Sequence, residues 1–153
     1  MTTERLEIDE YFLNMARLTS LRSTCARRQV GCILVDTQNH VVATGYNGVP
    51  KDFTHCISEP CSGASAESGT KLDQCWAVHA EMNAMLQLQS TDKLTASLTV
   101  TPCFECAKVL ANSNITRIVA PVWYPHDQVK QILQTANIEV TIKEMKEWTS
   151  LNK

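Results

Sequence analysis

The sequence predicts an α/β fold, three layers deep (α/β/α), around a central mixed five-stranded sheet. Three observations predict it: an apolar stripe at helical spacing near the start, two β-rich runs parted by a short turn, and, from Trp76 onward, helix-like and strand-like segments in alternation. A short turn makes the first two strands an antiparallel hairpin, whereas strands joined through helices run parallel, so the sheet is mixed.

The first helix is expected over residues 8 to 21, where Ile8, Tyr11, Phe12, Met15, Leu18 and Leu21 share one face and are assigned to the core. Gly31 to Asp36 and His40 to Thr44 form the hairpin around the turn-prone Thr37-Gln38-Asn39. Gly45-Tyr46-Asn47-Gly48-Val49-Pro50 is expected to break the second strand. Residues 50 to 74 are rich in Ser, Gly, Ala and Cys without any sustained period, which predicts one long loop; a loop of that length needs something to hold it. Then follow a helix over Trp76 to Leu88, a strand over Ser97 to Thr101, a helix over Cys103 to Asn112, a strand over Arg117 to Pro121, a helix over His126 to Thr135 and a strand over Ile138 to Ile142.

A chain of 153 residues is expected to form a single domain spanning 1–153, large enough to bury a core without covalent staples. Its 44% hydrophobic and 20% charged residues are those of a globular protein, and no apolar run is long enough to span a membrane. The N-terminal MTTERLEIDE carries acidic residues and no apolar stretch, so a cytoplasmic location is expected. A net charge of −2 argues against nucleic acid as the partner. Seven cysteines, an odd number without a secretion signal, point to metal ligation rather than a disulfide framework.

The chemistry-bearing pattern is His79-Ala80-Glu81 followed, one strand later, by Pro102-Cys103-Phe104-Glu105-Cys106. Cys103 and Cys106, three apart on a helix, can present two thiolates to one ion. Two thiolates and an imidazole suit Zn²⁺ and leave its fourth position for water, as a catalytic site requires. His79 and Glu81, two apart, can serve one pocket only if the helix begins close to His79. Glu81 is then placed to act as the general base and acid of a hydrolysis. A structural zinc site would close the fourth position with protein, and a redox C-x-x-C needs no upstream His-x-Glu.

His-x-Glu with Pro-Cys-x-x-Cys is the signature of zinc nucleobase deaminases. Together with Arg22-Ser23-Thr24-Cys25, Gln29-Val30-Gly31 and Gly45-Tyr46-Asn47-Gly48-Val49-Pro50, it makes the chain, from about Tyr11 to Val140, resemble the deoxycytidylate deaminase family within the cytidine deaminase-like fold. The resemblance implies hydrolysis of dCMP to dUMP and ammonia, in a homo-hexamer activated by dCTP and inhibited by dTTP, with Mg²⁺ accompanying the effector. It also implies Asn47 and Ala80 as substrate contacts and Gly45, Tyr46 and Gly48 as part of an effector site. Asn47 is equally readable as a turn residue in a left-handed conformation. Arg27 and Arg28 form the candidate phosphate segment, with a solvated helix-end cluster as the other reading. Tyr124 either borders the nucleotide or packs in the core.

Once Cys103 and Cys106 are set aside, Cys32 reads as a small buried strand residue. The remaining Cys25, Cys56, Cys61 and Cys75 could close a second, structural zinc site that pins the long loop, with His55 able to replace one thiol. Some members of the family resemble this chain in carrying an additional zinc near cysteines placed like Cys25 and Cys56. The competing reading is unligated loop thiols.

Overall fold

A computed structural model describes residues 4–67 and 69–146. Its elements are α1 (Ile8–Ser20), β1 (Gly31–Val35), β2 (Val41–Tyr46), a short 3-10 turn (Leu72–Gln74), α2 (Ala80–Leu86), β3 (Leu94–Leu98), α3 (Phe104–Ala111), β4 (Ile115–Ala120), α4 (Asp127–Thr135) and β5 (Glu139–Ile142). The sheet order is β2-β1-β3-β4-β5. β1 runs antiparallel to both β2 and β3, while β3, β4 and β5 are mutually parallel, so the sheet is mixed as expected. The hairpin turn closes where Asp36 Oδ1 accepts the amides of Gln38 and His40 and Asn39 takes φ 65°.

Alternate residues of β1 feed opposite layers, as a pleated strand must. Ile33 and Val35 pack under α1 against Phe12 and Ala16, whereas Cys32 and Leu34 join the larger core with Ala84 of α2, Leu110 of α3 and Leu133 of α4. With a helix layer on each face, all five residues of β1 are buried. Leu34, Leu98, Leu110, Ile118 and Leu133 lie almost wholly out of water, each contributing on the order of 1.5–3 kcal/mol.

Several sequence expectations need correction. Of the expected stripe, Phe12 is buried and Met15 packs beside it, but Ile8, Tyr11, Leu18 and Leu21 are exposed, and the rest of the buried face is Glu10, Leu13, Ala16 and Ser20. Close approach explains the rotation: a Cβ on Gly31 would lie 1.9 Å from the Ala16 carbonyl oxygen, so the helix meets β1 along the line of Ala16, with Phe12 and Leu13 beside it. β2 continues through Gly45 and Tyr46 instead of breaking there, because Tyr46 pairs with Gly31 and Gly45 with Cys32. α2 starts at Ala80, not Trp76; Val78 is extended and makes an isolated bridge with Gly48. β3 lies at Leu94–Leu98, three residues before its expected position, and Thr99 to Cys103 instead form the turn that enters the site.

Candidate active site

The site lies where the sheet's carboxyl-end loops meet the starts of α2 and α3. His79 is the N-cap of α2 and Cys103 the N-cap of α3, both in extended backbone, so each side chain leaves its helix at the first turn. The bridge between Gly48 and Val78, with amide-to-carbonyl distances of 3.1 and 2.8 Å, fixes the approach to His79. The Asn83 side chain adds a bond of 2.8 Å to the Tyr46 carbonyl. Gly45 permits this docking, since a Cβ there would sit 2.1 Å from the Ala80 carbonyl oxygen.

His79 Nδ1 lies 3.4 Å from Cys103 Sγ and 3.3 Å from Cys106 Sγ. Among the described residues this is the one group of three or more His, Cys, Asp or Glu ligand atoms all within 4.8 Å of each other. Edges of this length are what atoms about 2.0–2.3 Å from a common tetrahedral centre have, so the donor set fits zinc in both chemistry and size. Cys103 is pulled down to about 4 by the Cys106 S–H bond and by His79, while that same bond and burial drive Cys106 far up. The Cys103 hydrogen bond raises His79 above its ordinary value.

Glu81, in the first turn of α2, is 5% exposed. Burial raises its carboxyl, with the Cys103 sulfur adding to the effect. A buried carboxyl beside a cation-binding triangle is placed to exchange protons with groups bound there. Behind it, Cys32 is fully buried and its thiol is pushed well up by burial, which matches the expectation of a small packing residue.

An inner cavity joins His79, Cys103 and Glu81 to Asn47, Ala80, Arg27, Arg28 and Tyr124, so every expected substrate contact lines one space. Asn47 is not in a left-handed conformation. Its Oδ1 accepts the Ser23 hydroxyl (2.6 Å) and the Val30 amide (2.8 Å), and its Nδ2 donates to the Arg28 carbonyl (2.7 Å). Its one remaining N–H is the group left for a ligand. Tyr124 is held by its amide, which donates to Thr101 Oγ1 at 2.7 Å. Thr101, Val100, Gly69 and Leu72 also line the cavity and were not picked out from sequence. Only Thr101 carried a signal, its place directly before Pro102-Cys103. A wider outer cavity continues past Arg28 and Tyr124 to Phe104 and His126, whose rings stack at 4.8 Å.

The expected effector residues are placed differently. Gly45 and Gly48 are buried, the space at Gly45 taken by the α2 backbone and that at Gly48 by the Thr24 side chain, with Thr24 Oγ1 2.4 Å from a Cβ built there. The other four thiols gather without closing into one tight set. Cys56 and Cys61 sulfurs lie 3.6 Å apart. The Trp76 amide holds Cys61 below the ordinary thiol value, with Gly63, Cys56 and Cys75 assisting. Burial pushes Cys75 up, and its neighbours Cys25 and Cys61 add to that.

Fold and site together define an α/β protein that mounts a His-Cys-Cys metal triangle and a buried glutamate on two helix starts. A family model for the cytidine and deoxycytidylate deaminase zinc-binding region matches residues 6–122, and the chain belongs to that family. It is 35% identical over 138 residues to the deoxycytidylate deaminase of Schizosaccharomyces pombe, covering 86% of this chain but 42% of the yeast protein. The deoxycytidylate deaminase of Mycobacterium phage D29 is 39% identical over 124 residues, 76% of this chain and 96% of the phage protein. The dCMP deaminase of cyanophage S-TIM5, solved in complex with dCMP and dUMP, matches with a TM-score of 0.74 and 27% identity, over 92% of this chain and 100% of that one. The fold is therefore cytidine deaminase-like. No helix among the described residues is long and apolar enough to cross a membrane.

Proposed function

We propose that the chain is a zinc-dependent deaminase that hydrolyses dCMP to dUMP and ammonia, supplying dUMP for thymidylate synthesis. One observation carries the reading: the His79–Cys103–Cys106 triangle has a buried carboxylic acid, Glu81, beside it at the end of a cavity that opens onto Arg28. The likeness to deoxycytidylate deaminases supports it.

His79, Cys103 and Cys106 would hold the ion. Zinc so bound lowers the pKa of water from about 16 towards roughly 7, making a nucleophile available at neutral pH. Glu81 takes the proton of the attacking water, passes a proton to N3 of the cytosine ring and delivers another to the departing amine. Asn47, through its free N–H, and the backbone at Ala80 orient the nucleoside, with Tyr124 at its edge and the Arg27-Arg28 segment at its phosphate. A free-nucleoside substrate would leave that segment without a purpose, and an RNA substrate sits poorly with a net charge of −2.

The same reading extends to a homo-hexamer controlled by dCTP and dTTP, with Mg²⁺ on the effector phosphates, through the surface around Tyr46. It also extends to a second, structural zinc at Cys25, Cys56, Cys61 and Cys75, supported by the 3.6 Å Cys56–Cys61 contact. Release of dUMP and ammonia from dCMP, with deoxycytidine as the parallel substrate and dCTP and dTTP as additions, tests the whole. Equal efficiency on both substrates would remove the phosphate role, and absence of turnover on both would remove the enzyme.

A further inference from the structure

β3 ends at Leu98, and the residues that follow, Thr99-Val100-Thr101-Pro102-Cys103, must leave the sheet in a fixed direction for Cys103 to meet His79. Two threonines, turned towards opposite neighbours, hold that passage. Thr99 donates its amide to the Gly31 carbonyl (3.2 Å), and its hydroxyl oxygen accepts the Gly31 amide (3.2 Å), which ties it to β1. Thr101 does the same on the other side, past the end of β4. Its amide donates to the Val122 carbonyl (3.0 Å), and its Oγ1 accepts the Tyr124 amide (2.7 Å). Each hydroxyl thus stands in for the main-chain carbonyl of a ladder that has already ended. Thr101 is 1% exposed and lines the inner cavity with Val100, Cys103 and Tyr124. Tyr124 also lines the outer cavity, and its hydroxyl lies against Gly69 of the long loop, where a Cβ would come within 2.9 Å of that oxygen. The tyrosine is therefore held at its main chain by Thr101, while the tip of its ring meets the long loop.

We infer that Thr101 is a positioning residue: its hydroxyl clips the turn that carries Cys103 to the chain that carries Tyr124, and so sets how far the aromatic edge of the cavity stands from the metal triangle. Cys103 has further supports, the Thr99 clip on β1 and its own place at the N-cap of α3. The Tyr124 amide has Thr101 as its partner. Loss of the hydroxyl should accordingly move Tyr124 and spare the triangle, which weakens the hold on a bound nucleotide without slowing the chemical step. The kinetic part of this inference rests on the proposed dCMP chemistry; the clip itself rests on the hydrogen bonds alone.

Thr101→Val keeps the branched shape and removes the acceptor, leaving the Tyr124 amide unpaired, whereas Thr101→Ser keeps the oxygen. In steady-state kinetics on dCMP, Thr101→Val is expected to raise KM about tenfold with kcat within about threefold of wild type and zinc content unchanged, and Thr101→Ser to restore KM to within about threefold. In a Tyr124→Ala background the same valine substitution should change KM less than about twofold, because the residue it acts through is gone. Amide hydrogen exchange read by NMR gives the second measurement. The Tyr124 amide should be protected in wild type and in Thr101→Ser, and exchange at least about tenfold faster in Thr101→Val. A fall in kcat at unchanged KM, or a full effect of Thr101→Val in the Tyr124→Ala background, overturns the positioning role. An unprotected Tyr124 amide in the wild-type protein overturns the clip, whether or not the valine variant folds. If the wild-type protein does not turn over dCMP, the deaminase reading falls and takes the kinetic part with it, while amide exchange still decides the clip.

Discussion

Two thiol-rich regions of this molecule can be set side by side. His79, Cys103 and Cys106 stand on the first turns of two helices packed against the sheet, and their ligand atoms converge within 4.8 Å. Cys25, Cys56, Cys61 and Cys75 stand at element ends and in the loop before α2; the Cys56 and Cys61 sulfurs lie 3.6 Å apart and Cys75 adds a side-chain hydrogen bond to Cys61, but the four do not close into one tight set. A helix start fixes side-chain direction through the backbone that the core already holds, whereas a loop must be fixed by whatever its own side chains grip. Convergence in the first region is therefore set by the helix starts; in the second it is left to the loop's own contacts.

The largest test of that contrast is removal of a catalytic thiol. Cys103→Ser is expected to abolish dCMP turnover and release one zinc per chain while leaving the melting temperature nearly unchanged, since the core already holds both helices; metal analysis and calorimetry check this. Glu81→Gln should cut kcat by about 10²–10⁴ with zinc content at the wild-type level, which separates proton transfer from metal binding. An unchanged rate would return Glu81 to a packing role. Cys56→Ser combined with Cys61→Ser should do the reverse of Cys103→Ser, lowering the melting temperature by about 5 °C and the zinc content from two to one per chain while changing kcat several-fold at most. One zinc in the wild-type protein would make these four residues plain loop thiols.

The smallest effect belongs to a region outside both. Arg117 makes paired bonds of 2.8 and 2.6 Å to Asp9, tying α1 to β4. That hydrogen bonding holds the Asp9 carboxyl below its ordinary value of 3.8, against the opposing effect of burial. A lowered carboxyl stabilises the fold above the unfolded value, so its contribution should be complete above about pH 4 and fade as pH falls through the depressed folded value. Asp9→Asn is expected to cost about 1 kcal/mol in urea unfolding at neutral pH, and much less at pH 3, with catalysis unchanged.

How much of this was legible before the structure follows the same division. The triangle and Glu81 could be read because helical spacing and ligand chemistry are local properties. The condition that the helix begin near His79 was met at the N-cap itself. The start of α2 was misplaced because Trp76 to Val78 look helical in isolation but are drawn straight by the bridge to Gly48. The core face of α1 was misread because hydrophobicity alone does not reveal that Gly31 brings the sheet against Ala16. Gly69 and Leu72 could not be found at all, since a cavity wall made by a distant loop leaves no periodic trace.

Gly31 and Gly45 sit on neighbouring strands and face opposite layers, the first beneath the Ala16 carbonyl and the second beneath that of Ala80. The helix that carries Glu81 thus rests main chain upon main chain, with no rotamer free to flip at the point of contact. Warming should consequently leave the spacing of the reactive groups unaltered until the sheet itself melts, so that loss of catalysis and loss of structure fall on a single thermal transition.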